Sequence, residues 1–309
     1  MTTHPATRRR RASLRAGLLC AAGLVPAAIG AATSAPAGAT AQAAVAPPRI
    51  GVLKADGAAL VKEGGLSTSW VTENTEVIQI AIAGDRIGVL KADGTALVKE
   101  GGLSTNWVVE NTGVKQIALA GDRIGVLKAD GTALVKEGGL SATWVTENVG
   151  VKQIALAGDR IGVLKGDGTA LVKEGGLSAT WVTENVGVKQ IALAGDRIGV
   201  LKGDGTALVK EGGLSATWVT ENVGVKQIAL AGDRIGVLKA DGTALVKEGG
   251  LSTNWVVENT DVIQIALAGD RIGVLKGDGT ALVKEGGLST NWVTENIAVT
   301  EIALASGKD

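Results

Sequence analysis

The chain has 309 residues, 31 basic and 31 acidic, with seven Trp, no Tyr or Phe, one Cys and one His. Cys20 and His4 both fall in the first twenty residues, so the remaining chain can form no internal disulfide and build no Ser-His, Cys-His or His-ligated zinc centre. Its Lys and Arg are interleaved with Asp and Glu, which argues against a nucleic-acid footprint or an anionic membrane surface, since both need clustered cations.

The first element is a leader. Arg8 to Arg11 and Arg15 precede an apolar run from Ala16 to Ala32, and Ala39, Ala41 and Ala43 offer A-x-A cleavage positions. Residues 1–43 therefore read as a secretory signal peptide rather than a retained anchor. Pro26 and Gly23 interrupt the run, and its length is marginal for a span. Arg10-Arg11 followed by Leu14 leaves a twin-arginine route open. Leu19 disfavours a lipid anchor on Cys20. Export of the product follows, and removal of the leader takes five Arg, leaving 26 basic against 31 acidic residues.

A short Pro-containing lead-in, 44–48, is followed by seven near-copies of a 37-residue unit over 49–307. The copies restart at Arg49, Arg86, Arg123, Arg160, Arg197, Arg234 and Arg271, and those at Arg160 and Arg197 are identical. A period in this range signals a solenoid, propeller or array. Such sameness means that any functional site recurs.

Within a unit the pattern is that of short strands between turns: Val114 to Ala120, Arg123 to Ala129, Ala133 to Glu137 and Trp144 to Asn148. Gly121-Asp122, Asp130-Gly131 and Gly138-Gly139-Leu140-Ser141 supply the turn chemistry. Asp-Gly between apolar runs is a strong hairpin signal. Both faces of the strands are largely apolar, which suits sheets covered on both sides. Six or so Gly per unit and the Val, Thr and Ile content disfavour helical repeats.

The fold expected is all-β, a seven-bladed β-propeller of four-stranded antiparallel blades. The I-A-L-A strand is innermost, since its small residues suit a narrow channel. Because the repeats begin on a second strand and end at Val299 to Ala305, that C-terminal inner strand completes the first blade. An open β-solenoid is the alternative, but it needs polar caps that the chain lacks.

The segment V-K-Q-I-A-L-A-G-D-R-I-G-V-L-K-A-D-G-T-A-L-V-K-E-G-G-L-S-x-x-W-V resembles the tectonin repeat of tachylectin-2-like proteins. Shared features are a V-x-x-I-x-x-G strand, a G-V-x-x-x-G hairpin, an apolar third strand and a W-x-x-V ending. The resemblance implies a β-propeller and, for the lectin members, amino-sugar binding between neighbouring blades. The chain departs from such lectins in having no Tyr or Phe.

In a propeller the loop from one blade's outer strand to the next blade's inner strand shares a rim with the turn between second and third strands. This puts Asn111, Asn148, Asn185, Asn222 and Asn259 and the neighbouring Glu147, Glu184 and Glu221 on one rim. Asp130, Asp167, Asp204 and Asp241 of the Asp-Gly turns join them. Such side chains supply the paired donors and acceptors that sugar hydroxyls need. A solvated polar rim is the plainer reading. The seven Trp (Trp70, Trp107, Trp144, Trp181, Trp218, Trp255, Trp292) pack between blades or stack on sugars. One Asp per turn is too few for a calcium loop, and G-D-G-T-A-L lacks the third Gly and helix of a dinucleotide site.

The expectation is a secreted, non-enzymatic, lectin-like protein with no cofactor and no catalytic or metal residues. It binds carbohydrate or cell-surface glycan multivalently, as a monomer, without nucleic acid and without stable membrane insertion. Near-identical copies suit avidity better than catalysis, which needs an asymmetric constellation. A structural or protein-interaction platform is the alternative.

Overall fold

The computed structural model describes residues 45–307, so the leader, with His4 and Cys20, lies outside the described residues. Among the described residues, twenty-eight strands form seven four-stranded antiparallel sheets. Blade 3 is representative: inner strand Val114–Ala120, second strand Arg123–Lys128, third strand Ala133–Glu137 and outer strand Val145–Asn148. The second strand ends one residue before the sequence-expected Ala129, and Trp144 sits just ahead of the outer strand rather than in it. Blade 1 is assembled from both ends of the chain. Its inner strand, Val299–Ala305, pairs antiparallel with Arg49–Lys54, so that Ile50 faces Leu304 and Val52 faces Ile302. The ring is thus a closed seven-bladed propeller, latched in the expected three-plus-one manner.

Local chemistry explains the strand spacing. In the second-to-third hairpin, Lys128 N donates to Thr132 O at 2.8 Å and Gly131 N to Lys128 O at 3.0 Å. Only the Gly adopts positive φ, at 87°, which fits a type I turn followed by a left-handed Gly rather than a turn with two positive-φ residues. Asp130 Oδ1 accepts Thr132 N at 2.8 Å and fixes the corner from the side.

Apolar groups on both faces are used because each sheet is covered by its two neighbours. Blade 2 and blade 3 residues form one buried cluster, from Leu90, Ala96 and Val98 to Ile117, Leu119 and Val126, with Trp144 packed on its edge. Gly125 explains how closely blades approach: a Cβ there would lie 2.9 Å from Ile154 Cδ1 and 3.1 Å from Leu156 Cδ1 of the next blade. The missing side chain is the socket for those two.

Polar groups tie the blades at several radii. Near the axis, Gln116 Nε2 donates to Ile154 O at 2.9 Å and Ile154 N donates back to Gln116 Oε1 at 3.0 Å. Farther out, Lys136 is ion-paired with Glu110 of the preceding blade at 2.5 Å, both side chains 2% exposed. The Lys136 ammonium also lies 5.2 Å from the centroid of the Trp144 ring, within cation–π range. Arg123 binds Glu137 of its own blade at 3.0 Å and reaches Gly175 O of the following blade at 2.6 Å.

Candidate functional site: the Asp-Gly rim

The outer-to-inner loop is clamped between two hairpin turns. Val151 N donates to Gly131 O of the blade behind, and Gly166 N donates to Gly150 O from the blade ahead, both at 2.9 Å. Asn148, Val149 and Gly150 therefore lie between the turns that carry Asp130 and Asp167. This unit recurs at the junctions that carry Asn111, Asn185, Asn222 and Asn259.

The Asn side chains are partly engaged. Asn148 Oδ1 accepts Lys165 Nζ and Val149 N, each at 2.9 Å. Lys128, Lys202, Lys239 and Lys276 bind Asn111, Asn185, Asn222 and Asn259 in the same way. With Oδ1 taken twice, the Nδ2 amide is the group each Asn can offer. The lysines at the ends of the second strands were not anticipated as rim residues. Their recurrence directly before the turn was the available signal, but no period distinguishes a rim lysine from a solvated one.

The Asp groups are exposed at the hairpin corners. Asp130, Asp167, Asp204 and Asp241 accept backbone N–H bonds from Thr132, Thr169, Thr206 and Thr243. Those backbone bonds, with the Thr hydroxyls second, hold the carboxyls below the usual aspartate range. They stand as stable anions with one oxygen committed to the turn.

The glutamates require a correction. Glu147, Glu184 and Glu221 do not face the rim: each carboxylate is buried against Lys173, Lys210 or Lys247 of the next blade, with the Glu side chains 2% exposed. Strand alternation turns Glu147 inward while the adjacent Asn148 stays at the surface. The Trp residues are likewise interblade groups. Trp107 donates its indole N–H to Glu73 O at 3.2 Å, and Trp70 donates to Glu295 O at the same distance.

Nearer the axis the rim is chemically uneven. The second position of the inner strand is exposed Lys in four consecutive blades (Lys115, Lys152, Lys189, Lys226) but Ile78, Ile263 and Thr300 in the other three. Lys152 Nζ reaches Val188 O of the next blade at 3.4 Å, and Lys189 and Lys226 repeat that contact. Exposed valines, Val149, Val186 and Val223, add apolar surface beside the Asn residues. On the other rim, a cleft of about 720 Å³ lies between residues 45–48 and the Gly269-Asp270 turn, and no expected site residue lines it.

Among the described residues no group of three or more His, Cys, Asp or Glu could hold a metal ion. No helix among them is long and apolar enough to cross a membrane.

No protein-family model matches the chain, and no curated protein matches it. Solved structures do. Human WBSCR16 aligns at a TM-score of 0.60 and 14% identity, covering 84% of this chain and 96% of that one. Prp20p of Saccharomyces cerevisiae aligns at 0.57 and 11%, covering 77% and 81%; its structure was described with its binding to Gsp1p and histones. Kluyveromyces lactis Hsv2 aligns at 0.51 and 15%, covering 67% and 71%. At these identities the likeness is one of fold. The chain is similar to these propellers in architecture, and its chemistry has to be read from its own rim.

Proposed function

We propose that the chain is a secreted, non-enzymatic, lectin-like propeller that binds glycans or other cell-surface polymers at repeated interblade sites. The observation carrying this reading is the loop of Asn148, Val149 and Gly150 held between Asp130 and Asp167 and repeated around one rim. Each junction offers an amide donor, a carboxylate acceptor and, beside Asn148, Asn185 and Asn222, an exposed valine for a sugar C–H face. The inward turn of Glu147, Glu184 and Glu221 narrows the ligand set to Asn and Asp. Weak sites repeated on one rigid ring gain avidity without new contacts.

A glycan array probed with the mature protein tests this directly. Binding should appear, and Asn148→Ala, Asn185→Ala and Asn222→Ala together should lower avidity while the melting temperature stays within a few degrees of the parent. No binding at high protein concentration would refute the lectin reading.

A second reading, a protein-interaction platform, is favoured by one observation. Val149, Val186, Val223 and Ile297 are 58–64% exposed on the same rim. Exposed apolar groups at regular intervals suit a protein surface. Recovery of a protein partner that is lost on Val149→Ser, Val186→Ser and Val223→Ser, with a silent glycan array, would establish it.

A further inference from the structure

One blade junction differs from the other six at its innermost hydrogen bonds. Gln79, Gln116, Gln153, Gln190, Gln227 and Gln264 each join the following inner strand by a two-way bond: Oε1 accepts an Ile N–H and Nε2 donates to the same Ile carbonyl. The seventh position, on the closing strand, is Glu301. Its Oε2 accepts Ile80 N at 3.2 Å. The second carboxyl oxygen replaces the amide nitrogen that elsewhere donates to the Ile carbonyl, and only a protonated carboxyl can supply that donor.

Among the described residues, the cations on the strands packed against Glu301 are committed to other partners. Its partner across the blade is Leu53; Arg49 and Lys54 of that strand stand opposite Ala305 and Val299. Arg49 is committed to Glu63 and Lys54 to Asn296. The neighbouring inner strands, Val77–Ala83 and Val262–Ala268, contain no titratable residue. On Arg271–Lys276, Arg271 is paired with Glu285 and Lys276 with Asn259. Glu301 is half-buried at this seam, and its desolvation, opposed only by the Ile80 N–H, pushes the carboxyl up to about 8.

We propose that the ring is closed by a proton-dependent latch, in which neutral Glu301 donates to the Ile80 carbonyl and ionised Glu301 leaves that carbonyl unpaired at the seam between blades 1 and 2. The sign follows from linkage. The folded carboxyl is raised above its unfolded value near 4.5, so the folded state holds the extra proton between the two values. Stability falls as pH rises from about 4.5 to about 8 and is level above that. Between these values no His or Cys of residues 45–307 titrates in competition.

The test uses the mature chain, with Glu301→Gln as the reference because Gln is the residue at the six other junctions. Wild type and E301Q should melt alike at pH 4.5. The wild type should melt several degrees lower than E301Q at pH 9, where proteolysis near the closing strand should also be at least about tenfold faster. Gln264→Glu in the E301Q background should transplant the pH dependence to the blade 7 to blade 1 junction. Parallel curves for wild type and E301Q from pH 4.5 to 9, or a Q264E variant with no new pH dependence, would overturn the latch.

Discussion

Lys173 and Glu147 come from adjacent blades and meet in an ion pair whose two side chains are 1% and 2% exposed. The Lys173 ammonium is also 5.2 Å from the centroid of the Trp181 ring, and Glu147 Oε1 has no partner. The pair is therefore well matched on the cationic side and incompletely satisfied on the anionic side.

Lys173→Met should cost about 3–5 kcal/mol, because it strands a buried carboxylate. Adding Glu147→Leu should recover most of that loss, since a packed apolar pair avoids the desolvation of both ions. Urea unfolding of the single and double variants checks both statements, and a double variant no better than the single would contradict them.

The loop position before each inner strand is left-handed whatever residue occupies it. Gly113, Gly150, Gly187 and Gly224 have φ near 64°, whereas Glu76, Asp261 and Ala298 carry a Cβ at 54–58°. Ala298→Gly should therefore stabilise by about 1 kcal/mol, and Gly150→Ala should destabilise by a similar amount. Thermal melts of both variants test the pair of opposite signs.

The Asp residues of the hairpin corners give a separate pH response. Thr132 N–H and its equivalents lower the folded carboxyl values of Asp93, Asp130, Asp167, Asp204, Asp241 and Asp278 below the ordinary aspartate value of 3.8. Their contribution is present above that value and is lost as pH falls through the folded values. Melting temperature should drop below about pH 4, and Asp→Asn at several corners should flatten that acid limb.

Blade number is testable by deletion. Removing 151–187 joins Gly150 to Val188 and keeps every junction type intact. Six blades must then close at a different angle. Light scattering should find association, or calorimetry a lower melting temperature than the parent. A monomer of undiminished stability would contradict the closed seven-bladed ring.

The architecture was legible because the period, the Asp-Gly corners and the phase of the terminal strand all constrain backbone geometry. Val299 to Ala305 could be assigned to blade 1 from the sequence because the array starts one strand late. The site was less legible. Glu147 and Asn148 are neighbours of similar polarity, yet a half-turn of the strand sends one into an ion pair with Lys173 and leaves the other at the rim. Lys136 and Lys173 look like surface residues in an alternating A-L-V-K-E strand, since their buried partners lie on a different blade. Glu301 differs from six glutamines by one atom, and its meaning appears only where the seventh inner strand meets Ile80.

Blade 1 waits for its inner strand through most of the chain's length. Until Val299–Ala305 arrives, Arg49–Lys54 presents an unpaired row of amides and carbonyls along one edge. That edge is sequence-identical to the second strands of the six other blades, so a closing strand from another copy fits it as well as the chain's own. At high concentration during refolding, exchange of this strand between molecules is the inherent hazard of a ring whose parts are interchangeable.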